Sequence, residues 1–267
     1  MNKPQIVWIT GASSGIGEAL TYAYAARGAK VIISARRREE LERVKKACKT
    51  DPSNIHILPI DLELNQQAPR WYEDAKQAFG TPNILINNGG IGHLGNALDM
   101  SETVERKVLD INFWGQVALT KAVLPDMINR GSGKIVVMSS LLGHYGSAKL
   151  AAYAASKHAL LGYFESLREE LRSSGVSILL VSPGFVNTNV TINSLTESGE
   201  TYNQNSVAQE HGMAPERFAK KLIAKIDSNQ QYAYIGGKEM LAIPLKRFSP
   251  RLFYWLYNIM AARVKKE

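Results

Sequence analysis

Cysteine is almost missing from this chain. Cys48 is the only one in 267 residues, so no internal disulfide can form and no cysteine-built metal site exists. The five histidines, at positions 56, 93, 144, 158 and 211, show no close metal-ligand spacing, and no metal is expected. No apolar run reaches the ~20 residues that a membrane-crossing helix needs. Acids are in short supply: Asp and Glu number 24 against 32 Lys and Arg, a net charge of +8. That excess suits an anionic partner, whether a phosphate-rich cofactor, nucleic acid or an anionic membrane surface. The run Arg36-Arg37-Arg38 is followed at once by Glu39-Glu40, and no nucleic-acid-binding pattern accompanies it. A cofactor site explains the charge better. The amino terminus, MNKPQIVWITG, passes into a strand pattern without a signal-peptide-like apolar segment, so a cytoplasmic location is expected.

What is present alternates. Apolar runs at Gln5–Thr10, Lys30–Ala35, Ile55–Ile60, Ile84–Ile86, Lys134–Met138, Ser177–Val181 and Tyr232–Ile235 read as strands. Between them come helical patterns at Glu18–Arg27, near Leu41 and Val44, at Asn65–Phe79, Glu102 to about Asn129, Ala151–Arg172 and Ala214–Asp227. Such alternation predicts an α/β fold with one doubly wound parallel sheet, helices on both faces, and ligands outside the carboxyl ends of the strands. In the helix from Ala151, an i, i+4 row of Ala155, Ala159, Tyr163, Leu167 and Leu171 is the expected packing stripe. Asn112 falls mid-helix, where its amide competes for backbone groups and is expected to bend the helix or organise water.

The first strand runs into Gly11-x-x-x-Gly15-x-Gly17, a tight turn opening a helix. Glycines there let the backbone approach a pyrophosphate, whose charge is favoured by free N–H groups at the helix start, and Ser13 and Ser14 add hydroxyls. The second strand ends without the acid that would bind an adenosine 2′-hydroxyl. Arg36 and Arg37 stand there instead, suited to a 2′-phosphate, so NADP(H) is expected in preference to NAD(H). Asp61 sits where a side chain can meet adenine, and Thr188, in the turn after the Ser177–Val181 strand, can bond an amide.

Ser140, Tyr153 and Lys157 form the chemical centre. The last two lie one helical turn apart on one face. A free phenol has a pKa of about 10, and a nearby ammonium would lower it toward the range useful in acid–base catalysis. Ser140, at the end of a strand, can hydrogen-bond the oxygen that Tyr153 protonates or deprotonates.

Taken together, TGASSGIG (10–17), Asp61, NNGG (87–90), Asn112, the Ser140–Tyr153–Lys157 set and PGFVNT (183–188) make the chain resemble a classical short-chain dehydrogenase/reductase over roughly residues 5–240. NNGG, SKHAL and the aromatic, basic tail are most similar to the dehydrogenase/reductase member 7 branch, near the 11β-hydroxysteroid dehydrogenase-like enzymes. The resemblance implies a Rossmann-type sheet of about seven strands and a nicotinamide cofactor. It casts Tyr153 as general acid/base, Lys157 as the group that lowers its pKa and holds the nicotinamide ribose, Ser140 as orienter of the substrate oxygen, and Asn112 as keeper of a relay water. It extends the cofactor set to Ile16, Leu62, Asn88, Gly89, Gly90, Pro183, Gly184 and Val186. Gly89 departs from the family's usual alanine, a change that should preserve the turn.

The implied substrate is a hydrophobic ketone or aldehyde, or the corresponding alcohol, and a homodimer or homotetramer is implied through the helices around Asn112 and Tyr153. A non-catalytic, cofactor-binding regulator or membrane-surface scaffold is the alternative. The expected organisation is one catalytic domain over 1–243, with a substrate loop at about 189–213, and an amphipathic tail over 244–267. In the tail, Leu252–Met260 is aromatic and apolar between Lys246, Arg247, Arg251 and Arg263, Lys265, Lys266. An interfacial membrane anchor and a helix docked on its own domain or a partner subunit both fit that pattern.

Overall fold

A computed structural model describes residues 4–204 and 207–264. Seven strands, β1 (Ile6–Thr10), β2 (Lys30–Ser34), β3 (Ile55–Ile57), β4 (Ile84–Asn87), β5 (Gly133–Met138), β6 (Val176–Pro183) and β7 (Tyr232–Ile235), form one sheet in the order β3-β2-β1-β4-β5-β6-β7. All pairs are parallel. The helices are α1 (Gly15–Ala26), α2 (Arg38–Ala47), α3 (Ala68–Phe79), α4 (Glu102–Leu109), α5 (Gly115–Arg130), α6 (Ala151–Glu170), α7 (Val207–Glu210), α8 (Pro215–Asp227), α9 (Ala242–Phe248) and α10 (Pro250–Val264).

Both faces of the sheet are covered, which is why its strands read as continuous apolar runs. The pleat divides them. Val7, Ile9, Val31, Ile33, Val136 and Leu179 pack with Leu20, Leu41, Phe218 and Leu222 on the side of α1, α2 and α8. Trp8, Ile32, Leu85, Ile135, Val137 and Leu180 pack with Trp71, Val123, Leu160 and Phe164 on the side of α3, α5 and α6. Deleting a fully buried leucine from such a layer, Leu160 for example, costs about 2–5 kcal/mol. Strand β1 lies between β2 and β4, so the chain leaves the sheet's centre in opposite directions. The crevice at that switch point is where ligands of such sheets bind.

The helix expected over Asn65–Phe79 is a 3₁₀ stretch, Leu62–Gln67, followed by α3, because Leu64 takes non-helical angles and Pro69 fits only a first turn. The single helix expected from Glu102 is α4 and α5 joined by a π-helical turn, Asp110–Trp114, with Asn112 inside it. On α6 the buried residues are Ala152, Ala154, Ser156, Lys157, Leu160, Leu161 and Phe164; of the expected row, Tyr163 and Leu167 pack against the core and Leu171 lies in it, whereas Ala155 is exposed.

The tail folds back on the domain. Phe253 is buried against Leu141 and Tyr145, Lys246 Nζ donates to the His144 carbonyl at 2.7 Å, and the Tyr257 and Ser147 hydroxyls are 2.6 Å apart. The outer side of α9 and α10 leaves Phe248, Leu252, Trp255, Leu256 and Ile259 exposed, beside Arg247 and Arg251. Lys265 and Lys266 lie outside the described residues. No helix among the described residues is long and apolar enough to cross a membrane.

Candidate active site

The carboxyl ends of β1, β4, β5 and β6 deliver the glycine turn, NNGG, the Ser139–Ser140 pair and PGFVNT to one edge of the sheet. Thr10 ties the first two together. Its hydroxyl accepts from the backbone N–H groups of Asn88 at 3.0 Å and Gly89 at 2.9 Å, while the Asn88 amide donates back to the Thr10 carbonyl at 3.0 Å. Gln116, fully buried on α5, donates to the Gly89 carbonyl at 3.0 Å from the other side. Neither Thr10 nor Gln116 stood among the expected site residues. Thr10 was legible only as part of a motif, and Gln116 carries no local signal at all.

The turn is built for close approach. Gly11 has φ +64, and a Cβ there would stand 2.8 Å from the Cα of Gly89; a Cβ at Gly17 would collide with the Gly11 carbonyl. Helix α1 begins at Gly15 with Ser14 at its N-cap, and the Ser14 side chain makes no capping bond. The free N–H groups and hydroxyl of that turn open on a cavity of about 480 Å³ whose walls include Ser14, Gly15, Arg37, Asn187 and Thr188. An uncapped helix start beside a guanidinium fits a phosphate-bearing cofactor. Ser13 carries its carbonyl to Arg43 of α2 at 3.1 Å, and Arg43 also pairs with Glu18 at 2.8 Å, bracing the turn. Ile16 packs on the core beneath it. Arg36 and Arg37 are both exposed, and no hydrogen bond or ion pair engages their guanidinium groups among the described residues.

Asp61 spends one carboxylate oxygen on the Glu63 N–H at 3.1 Å, capping the 3₁₀ stretch. Leu62 is buried, and its Cδ1 would stand 2.7 Å from a Cβ at Gly89. Leu62 thus fills the space that an alanine would need at that position. On the far side, Gly184 donates to Ile235 at 2.9 Å, Glu239 accepts from the Phe185 N–H at 3.1 Å, and Val186 is buried. Pro183 ends β6, and Thr188 returns over the glycine turn, its methyl 2.8 Å from where a Gly15 Cβ would be.

At the chemical centre, Lys157 is 4 % exposed, donates from Nζ to the Met138 carbonyl at 2.8 Å, and lies 5.6 Å from the centre of the Tyr153 ring. Burial lowers its pKa to about 8. Tyr153 is pushed above the usual phenol value by burial, with an opposing hydrogen bond from Ser140. The ammonium donates to the Met138 carbonyl, and burial sets the direction of the phenol's shift, against the lowering expected from Lys157. Ser139 is buried and its hydroxyl donates to the Lys157 carbonyl at 2.9 Å, which leaves Ser140 as the serine at the phenol. Asn112, fully buried, uses its amide on Ile91: Oδ1 accepts from the N–H at 2.7 Å and Nδ2 donates to the carbonyl at 2.8 Å. A Cβ on Gly90 would sit 3.0 Å from Asn112 Oδ1 and 3.6 Å from Lys157 Nζ, so NNGG, Asn112 and Lys157 meet at one point.

Comparison with known proteins agrees with this geometry. The short chain dehydrogenase family model matches residues 5–199. A Drosophila melanogaster protein, dehydrogenase/reductase SDR family protein 7-like, is 38% identical over 98% of this chain and 81% of its own length. Among solved structures, a serine dehydrogenase complexed with NADP+ is similar at TM-score 0.76 and 26% identity, over 87% of this chain and 94% of its own. A short chain dehydrogenase/reductase from Burkholderia phymatum in complex with NAD shares the fold at TM-score 0.83 and 22% identity, over 93% of this chain and 95% of its own.

Proposed function

The chain belongs to the short-chain dehydrogenase family, on the branch of the dehydrogenase/reductase family member 7 proteins, and from that premise we propose that it is an NADP(H)-dependent oxidoreductase interconverting a hydrophobic ketone or aldehyde and its alcohol. The observation that carries the reading is Lys157. A buried ammonium is costly, and among the described residues no carboxylate pairs with it. A scaffold would have no use for that cost beside a tyrosine at a cofactor-binding edge.

In this reading Gly11, Ser14, Gly15 and Gly17 hold the cofactor's pyrophosphate, Arg36 and Arg37 its 2′-phosphate, Asp61 and Leu62 its adenine, and Pro183, Gly184, Val186 and Thr188 its nicotinamide end. A bound nicotinamide supplies a hydride to the carbonyl carbon in reduction and accepts one in oxidation. Tyr153 gives its proton to the carbonyl oxygen as the C–O π bond becomes a lone pair, Ser140 donates a hydrogen bond to that oxygen, and Lys157 favours the phenolate left behind. Asn112, its amide tied to Ile91, takes the relay water that the family resemblance implies. Phe185 stands exposed after Gly184 at the same edge, in keeping with a hydrophobic substrate.

The exposed aromatic and basic side of α9 and α10 favours peripheral contact with anionic membrane surfaces. Exposed Trp114, 51 % accessible on the turn that holds Asn112, favours a homodimer or homotetramer formed there. The test of the main reading is NADPH oxidation against steroid, retinoid, fatty and aromatic carbonyls, with NADH run beside it. Turnover that favours NADPH supports it, and a preference for NADH contradicts the role given to Arg36 and Arg37.

A further inference from the structure

Helix α6 carries Tyr153 in its first turn, yet nothing of its own caps that turn. Leu150 precedes it with φ −131 and ψ 30, makes no side-chain capping bond, and is a poor capping residue. The first bond of the helical ladder runs from the Ala154 N–H to the Leu150 carbonyl at 2.8 Å. The Tyr153 N–H therefore falls among the orphan donors of a helix start, in a region where unpaired groups are costly.

Its acceptor comes from sixty residues away. His93 is 1 % exposed and takes the Tyr153 N–H on Nδ1 at 3.2 Å. Because the backbone nitrogen can only donate, Nδ1 must offer a lone pair and the ring proton must sit on Nε2. Burial holds His93 below the usual histidine range, which keeps the ring neutral. The same short segment grips two other parts of the site. Leu94 donates to Leu195 at 2.8 Å and Leu195 donates to Gly92 at 3.0 Å, so the segment pairs with the expected substrate loop. Gly95 donates to the carbonyl of Lys149 at 3.0 Å, a residue held at φ +65 just before α6.

We infer that His93 is a positioning residue, whose neutral imidazole caps α6 and fixes the backbone of Tyr153 to the segment that seats the substrate loop. The inference rests on the reading of Tyr153 as the acid–base group. It assigns His93 no contact with substrate or cofactor.

The test compares the native protein with His93→Asn, whose Oδ1 can replace the acceptor, and His93→Leu, which fills similar space without one. Three quantities are read: exchange of the Tyr153 amide proton, the dissociation constant for NADPH, and kcat for NADPH-dependent reduction of 4-nitrobenzaldehyde. In His93→Leu the Tyr153 amide should exchange at least about tenfold faster and kcat should fall about tenfold or more, with NADPH affinity within about threefold. His93→Asn should restore protection and most of kcat. Equal Tyr153 protection in all three proteins overturns the cap, and equal loss in both variants overturns the acceptor role in favour of packing alone. If His93→Leu does not fold, protection of the native Tyr153 amide no greater than that of exposed Ala151 overturns the inference by itself. Failure of the acid–base reading is separable: it would show as full turnover in Tyr153→Phe, whatever the amide exchange gives.

Discussion

Replacing Lys157 with methionine should make the cofactor-free protein more stable and abolish its activity. The buried ammonium has its pKa moved from 10.5 to about 8 by desolvation, which at about 1.36 kcal/mol per pKa unit is about 3 kcal/mol of cost carried by the folded state below pH 8. Methionine keeps the apolar stem and removes the charge, but it leaves the Met138 carbonyl without its donor, at about 1 kcal/mol. The net gain near pH 7 is about 2 kcal/mol, or about 4 °C in Tm for a chain of this size. The pH dependence carries a definite sign. Between about pH 8 and 10.5 the unfolded lysine binds more proton than the folded one, so native stability rises with pH across that window and the variant's advantage shrinks. Thermal unfolding of both proteins at pH 7 and pH 9.5, without cofactor, measures the difference, in which the other titrating groups cancel. A Lys157→Met protein less stable than native at pH 7, or one whose advantage does not change with pH, would refute the reasoning.

Two further outcomes follow from the charged surfaces. Removing both guanidinium groups in Arg36→Ala/Arg37→Ala should weaken NADPH binding by about 10–100-fold, since a charge-assisted hydrogen bond is worth about 1.5–3 kcal/mol, and leave NADH nearly unchanged; titration of both cofactors checks it. Trp255→Ser/Leu256→Ser should reduce sedimentation with anionic phosphatidylserine vesicles at least several-fold while the melting temperature holds, because both side chains are exposed, at 60 % and 38 %.

The strands and most helices could be read in the sequence because each announces itself locally, as the apolar run Ile84–Ile86 and the Gly11-x-x-x-Gly15-x-Gly17 turn do. The candidate site residues carried by motifs are legible for the same reason, and the structure brings their segments to one edge of the sheet. What escaped depends on partners distant in the chain. Nothing around His93 foretells its bond to the Tyr153 backbone, nor anything around Gln116 its bond to Gly89. The π-turn at Asn112 was foreshadowed only as a bend, since its form is set by the pairing of the amide with Ile91. The tail's aromatic pattern fitted lipid and protein equally. Packing of Phe253 on Tyr145 gives one side of α10 to the domain and leaves the other outside. The directions in which Tyr153 and Lys157 shift are not legible in their spacing, which conveys proximity but not burial, and burial moves both groups away from their charged forms.

The central claim is that Tyr153 is the proton-transferring group of an NADP(H)-dependent oxidoreductase, and Tyr153→Phe tests it with the loss of a single hydroxyl. Turnover with the best carbonyl of the panel and NADPH binding by fluorescence should be measured on the same preparation. The account predicts a loss of at least about a thousandfold in kcat with NADPH affinity retained. Full turnover in Tyr153→Phe would contradict it.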